Sequence, residues 1–251
     1  MSSHDGASGP QPLLAEVLVI TGPMWSGKTS RLIDAARELA PRFDRVVVVK
    51  HAIDTRHASG VLASRTGLRM DAHLCVADLR DVPVPPSGSA RTLFAVDEAQ
   101  FFGSSLLDFY ARLAAAAPAP AAAAPGGGSP VKEAPALSPH GLLVAGLDLD
   151  FKNEAFGCCL ELAQKLPAAS LVRLTARCDF CAGGAGGACN ASAAFSQRLL
   201  AGGSATVVVD SGAGVFYAPA CAAHHQVEPG VAEAWGRGAA AAAAAEMSVD
   251  G

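Results

Sequence analysis

Five short apolar runs recur along the chain, at residues 16–21, 45–50, 92–96, 142–147 and 171–175. They are rich in Val, Leu and Ile and lack strict alternation with polar residues, the pattern of strands buried on both faces. Between them the apolar period changes from strand-like to helical. Leu32, Ile33, Ala36, Leu39 and Ala40 follow helical spacing until Pro41, and a helix rarely continues through proline. Leu106, Leu107, Phe109, Tyr110 and Leu113 predict a helix over 105–117, and residues 156–166 predict another, closed by Pro167. Strands alternating with helices imply an α/β fold, a mostly parallel sheet covered by helices on both faces. Beyond residue 176 the pattern shifts to short apolar runs at 205–209 and 215–217. These predict a small separate β module.

Other stretches carry almost nothing bulky to bury. Residues 118–139 are dominated by Ala, Pro and Gly around a Gly-Gly-Gly-Ser-Pro centre, and 182–190 by Gly and Ala. With the polar 1–15 and the Ala-rich 229–251, they are expected to be disordered. The resulting division is a domain at 16–176 and a smaller one at 177–228. The chain has 251 residues, 51% of them hydrophobic, enough for a real core. A formal net charge of −4 supplies no basic field for nucleic acid. No apolar run is long enough to span a membrane, and the N-terminus lacks a signal-peptide core, so a cytoplasmic protein is expected.

The chemistry begins right after the first run. Gly22-Pro23-Met24-Trp25-Ser26-Gly27-Lys28-Thr29 reads G-x-x-x-x-G-K-[ST], between a predicted strand and a predicted helix. Glycines let the backbone cradle phosphates, Lys28 reaches the terminal phosphates, and Thr29 can bind Mg²⁺. This identifies a phosphate-binding loop of the P-loop NTPase type, and hence a nucleotide such as ATP. The third run ends in Asp97-Glu98. Asp97, directly after the strand, suits Mg²⁺, and Glu98 is then free to act as a base. Arg56, in the polar connection 51–67, either touches phosphates or is a solvated loop arginine.

Cys178-Asp179-Phe180-Cys181 precedes Cys221-Ala222-Ala223-His224. Two close ligand pairs of this kind suit a tetrahedral structural Zn²⁺, with His225 an alternative to His224. Cys75, Cys158 and Cys159 are expected to be buried apolar residues, and Cys189 a loop thiol.

Taken together, these motifs resemble the cellular and bacterial-type thymidine kinases, zinc-containing P-loop deoxynucleoside kinases. The matching stretches are the phosphate loop, Lys50 through Asp54-Thr55-Arg56, Asp97-Glu98-Ala99-Gln100-Phe101-Phe102, and Gly146-Leu147-Asp148-Leu149-Asp150-Phe151. Phe156-Gly157, Leu174-Thr175-Ala176-Arg177-Cys178 and Tyr217-Ala218-Pro219-Ala220-Cys221 complete the match. The resemblance implies transfer of the γ-phosphate of ATP to the 5′-hydroxyl of thymidine, and of deoxyuridine too, for salvage into DNA precursors. It implies Glu98 as catalytic base, assisted by Lys28 and Arg56. By the same resemblance Met24, Phe101, Leu147, Phe151 and Phe156 line the thymine pocket, with Ser196, Arg198 and Tyr217 on a lasso-like loop that closes over the base. A homotetramer inhibited by dTTP is implied as well.

Two stretches depart from the family. Ser64-Arg65-Thr66-Gly67 stands where Ser-His-Asp/Asn-Gly is usual, and Asp210-Ser211-Gly212-Ala213-Gly214 where Gly-Gly-Ala precedes the tyrosine. The rival readings are a P-loop kinase or ATPase with another acceptor, and a zinc-ribbon nucleic-acid module on a nucleotide switch. A kinase fold inactivated at Arg65-Thr66 is a third. Few basic and aromatic residues flank Cys178, which disfavours the nucleic-acid module.

Overall fold

A computed structural model describes residues 14–55, 60–86, 88–116, 138–180, 191–200 and 215–225. Six strands form the central sheet: β1 (Leu14–Thr21), β2 (Arg45–His51), β5 (Leu74–Val76), β6 (Thr92–Val96), β7 (Ser138–Ala145) and β8 (Leu171–Arg173). Their order is β5-β2-β6-β7-β1-β8, and every pairing is parallel. Parallel neighbours require crossovers, which place helices on the faces. Helix α1 (Lys28–Leu39) covers one face and α2 (Ser105–Ala115) the other, where α3 (Cys159–Gln164) joins it.

Alternation along each strand divides the core in two. Leu142 and Val144 of β7 point to a cluster with Val19, Phe94, Val96, Leu106, Phe109 and Leu162. Leu143 and Ala145 point the other way, to Ile20, Leu32, Ile33, Val48 and Ala95. Both faces exclude water, which is why these runs read as continuous apolar segments. α1 buries Leu32, Ile33, Ala35 and Ala36 and gives way to a 3-10 turn over Ala40–Arg42 that holds Pro41.

Four departures from the expected elements have identifiable causes. The strand expected to resume at 142 starts at Ser138, inside the stretch expected to be an insertion. Its seryl hydroxyl donates to the Leu113 carbonyl at 2.7 Å. The register against β1 shifts between Leu14 and Glu16, an irregularity that accommodates Pro139, which has no N–H to give. The helix expected from 156 starts only at Cys159, because Gly157 has φ 64° and its α-carbon lies against the Gln100 backbone. The polar connection 51–67 contains β3 (Val61–Ala63), which pairs with β4 (Arg69–Asp71) in a hairpin. Finally, β5 extends the sheet, and its Cys75 is exposed rather than buried. Strands of three residues are too short to leave a readable period.

The remaining strands are short antiparallel pairs. β9 (Ala176–Arg177) pairs with β10 (Ser192–Ala193), and β11 (Phe195–Leu200) with β12 (Val215–Ala220). The expected strand at 205–209, residues 118–137, all of 182–190 with Cys189, and the 229–251 tail lie outside the described residues. No described helix is long and apolar enough to cross a membrane.

Candidate active site

β1 delivers the chain to the phosphate loop at Gly22, whose φ is 142°. A β-carbon there would run into the Leu174 carbonyl oxygen and sit 2.9 Å from Ser26 Oγ. Only glycine fits this turn. Gly27, at φ 84°, then starts α1 at Lys28, so the first helical amides open onto the loop. Lys28 Nζ donates to the Pro23 carbonyl at 2.7 Å, folding the ammonium back over the loop. The buried hydroxyl of Ser26 finds no hydrogen-bond partner among the described residues. A phosphate oxygen would satisfy it, so the loop's donors fit the ligand the motif implies.

The centre of the site is the end of β6. Asp97 is buried, and its carboxylate accepts from Thr29 Oγ1 at 3.0 Å. Hydroxyl and carboxylate thus meet where a divalent cation on the phosphates would be held. Glu98 follows at φ 51°, a left-handed conformation that non-glycine residues adopt at a cost of about 1–3 kcal/mol. That turn aims the side chain away from the strand direction. Gln100 Nε2 donates to Glu98 Oε2 at 2.7 Å, while Gln100 Oε1 accepts from the Leu147 N–H at 2.9 Å. One buried amide therefore fixes the carboxylate and ties it to the end of β7. Gly146 leaves room for this amide and Gly157 for the Gln100 backbone, since a β-carbon at either would crowd those atoms.

Aromatic residues collect beside Glu98. Phe101 meets Phe156 edge to face, with centroids 5.5 Å apart, and His51 lies 5.6 Å from Phe101 and 4.5 Å from Phe102. Burial pushes the His51 ring below its ordinary pKa, and the Glu98 charge opposes that shift. Just beyond, Lys50 and Asp54 form a buried ion pair at 3.4 Å. Phe151 is buried, with the Arg198 guanidinium 4.9 Å from its ring centre. Cys159 is buried behind the site; burial first, and the Asp148 charge next, push its thiol up to about 12. It stays protonated and unreactive.

The β11–β12 hairpin reaches the phosphate loop at two consecutive residues. Met24 N–H donates to Ser196 Oγ at 2.9 Å, and Trp25 Nε1 donates to the Tyr217 carbonyl at 2.8 Å. Arg65, from the β3–β4 turn, lies over the Trp25 ring at 3.4 Å. The same turn bonds α1 through Thr66 and Ser30 hydroxyls 2.9 Å apart. The departure at Ser64-Arg65-Thr66-Gly67 is therefore a structured contact with the phosphate loop.

Cys178, Cys221 and His224 converge farther along, their ligand atoms all within 4.8 Å of one another. His224 Nδ1 is 3.1 Å from Cys221 Sγ and 3.7 Å from Cys178 Sγ. Donor-to-donor edges in tetrahedral zinc sites are roughly 3.5–3.8 Å, so the cluster fits a metal of this class. His225 turns away: it stacks on Phe195 at 4.8 Å and its Nε2 lies 3.0 Å from the Phe151 carbonyl oxygen. Of the two histidines, the geometry groups His224 with the thiols. Cys181 and Arg56 lie outside the described residues.

Pattern alone gave no role to Gln100, His51 or the side chain of Trp25. Gln100 carried a signal, a long amide two residues after the acid. The other two depend on partners distant in the chain.

Comparison with known proteins bears on this geometry. The family described as thymidine kinase matches residues 15–119 and 133–225. A thymidine kinase of Deinococcus deserti is 35% identical over 221 residues, covering 83% of this chain and 93% of that protein. A thymidine kinase of Deinococcus radiodurans is 34% identical over 226 residues, 85% of this chain and 91% of that protein.

Proposed function

The chain belongs to the thymidine kinase family and is an enzyme that phosphorylates thymidine; from that premise we propose that ATP is the donor and that deoxyuridine is accepted as well. The observation that carries this reading is the placement of Glu98 beside the Thr29–Asp97 contact, with Gln100 fixing its carboxylate. Phosphoryl transfer asks for a held donor, neutralised charge and a base at the acceptor hydroxyl. Each has a residue here.

The phosphate-loop amides and Lys28 hold the donor phosphates. Mg²⁺, held by Thr29 and Asp97, would neutralise charge on those phosphates. Glu98 takes the proton of the thymidine 5′-hydroxyl as its oxygen bonds to the γ-phosphorus and the bond to ADP breaks. Phe101, Phe151 and Phe156, with Met24 and Leu147, supply flat and apolar walls for the base. Ser196 and Tyr217 reach the same region on the β11–β12 hairpin, and Arg56 contributes charge to the phosphates.

A structural Zn²⁺ on Cys178, Cys181, Cys221 and His224 would tie together the two ends of the second domain, 177–228, beside the kinase domain, 16–176. The family resemblance adds a cytoplasmic homotetramer with dTTP as feedback inhibitor, which light scattering and dTTP titration would check. The deciding test offers thymidine, deoxyuridine, deoxycytidine, deoxyadenosine and deoxyguanosine separately with Mg-ATP. Turnover confined to thymidine and deoxyuridine is expected. Equal turnover without any nucleoside would sink the reading in favour of an ATPase.

A further inference from the structure

The geometry points to Trp25 as a positioning residue that couples donor binding to nucleoside binding, an inference that rests on the thymidine reading above. Three observations carry it. Trp25 belongs by its backbone to the phosphate loop, where it holds a left-handed φ of 65°. Its indole N–H donates to the Tyr217 carbonyl on β12. Its neighbour Met24 is held by Ser196 on β11, and in the hairpin Ser196 pairs with Pro219 while Arg198 pairs with Tyr217. Two adjacent loop residues are therefore tied to two adjacent strands of the hairpin that bears the nucleoside-contacting residues.

The side chain is not explained by packing. Trp25 is 42% exposed, one of two large apolar side chains so placed among the described residues. A large ring at the surface would gain little there from burial alone. What the indole supplies is a donor on a rigid arm, held flat under Arg65. A phenylalanine would keep the ring and the stack but could not donate.

The loop cannot change its curvature on phosphates without moving Met24 N and the indole, and both moves pull on the hairpin. The hairpin cannot settle on a nucleoside without setting the loop. Linkage then requires each ligand to alter the other's affinity by the same factor. The sign is positive if the bonded arrangement is the closed one.

Calorimetry on the full-length protein tests this. Thymidine is titrated with and without Mg²⁺ and a non-hydrolysable ATP analogue, and the ratio of the two dissociation constants is the coupling. For the parent protein a tightening of about fivefold or more is expected. Trp25→Phe should lower the ratio by about threefold or more, towards one, the worth of one hydrogen bond. Ser196→Ala should lower it from the other side of the contact. Arg65→Gln, which removes the stack but leaves the indole donor, should keep most of it. A parent ratio of one, or an unchanged ratio in both Trp25→Phe and Ser196→Ala, overturns the coupling and leaves the thymidine reading standing. Parent protein that binds the analogue but no thymidine overturns that reading, and the coupling with it.

Discussion

The six-stranded sheet and the Cys/His region hold their functional groups by different means. The sheet buries Val19, Phe94, Leu142 and Val144 on one face and Ile20, Ala95, Leu143 and Ala145 on the other. The Cys/His region has Cys178, Ala193 and Cys221 at its buried centre, with Ala176, Phe180 and Ala191 packed around it. In the first, Asp97 and Glu98 stand where a strand buried along its whole length ends, so hydrophobic packing positions the chemistry. In the second, two of the three central residues are thiols, and a small cluster cannot supply the stability that a metal would. Chemistry is carried by a scaffold that stands on its own core. The smaller region has little core of its own and meets the phosphate loop through Ser196 and Tyr217.

This contrast can be broken from either side. The largest effect expected is from Glu98→Gln, which should lower turnover by about 10²–10⁴-fold while metal content and nucleotide affinity stay near those of the parent. Steady-state kinetics with an independent nucleotide-binding assay would read it. Near-parent turnover would remove Glu98 from the base role.

Next, Leu143→Ala should cost about 2–5 kcal/mol of unfolding free energy, since Leu143 is fully buried in the α1-side core. Denaturant titration measures this. A loss below about 0.5 kcal/mol, the size of an ordinary surface change, would mean the sheet is not held as described.

A smaller effect is expected from the other region. Chelation, or Cys221→Ser, should weaken thymidine binding by about 10–100-fold while the sheet keeps its circular-dichroism signal and its nucleotide affinity. Loss of both binding activities together would erase the distinction between the regions.

The smallest effect is a pH slope. Burial holds His140, and likewise His51, below the ordinary histidine range in the folded state. The unfolded chain then binds protons first as pH falls, so this stability is complete above about pH 6.5 and is lost on acidification below it. The slope should be at most about 1.4 kcal/mol per pH unit for each ring. His140→Gln should flatten the thermal-melting profile between about pH 7.5 and 5.5, a window above most carboxylate titration. An unflattened profile would show that the ring is not held neutral.

The legibility of the sequence follows the same division. β1, β2, β6 and most of β7 were readable because burial on both faces writes a continuous apolar run. The phosphate loop and Asp97-Glu98 were readable because their residue types are dictated by phosphate and metal chemistry. The grouping of Cys178, Cys221 and His224 was readable from ligand chemistry, although spacing alone left His225 open, and that ring instead lies against the Phe151 carbonyl. Strands β3, β4 and β5 were missed because three residues carry no period; β8, of the same length, was readable only as part of the 171–175 run. The roles of Gln100, Trp25 and Arg65 were missed for another reason. Trp25 and Arg65 depend on partners about 40 or more residues away, and Gln100, although its bond to Glu98 is local, depends on one at Leu147; pairings of that kind have no local signature.

The bonds from Met24 to Ser196 and from Trp25 to Tyr217 join residues 172 and 192 positions apart. Closing loops of that length is slow compared with forming neighbouring contacts, and synthesis delivers the N-terminal half first. During translation the phosphate loop, α1 and most of the sheet emerge well before Tyr217 exists to receive the indole. The outward bonds of the loop at Met24 and Trp25 are therefore among the last contacts a growing chain can make.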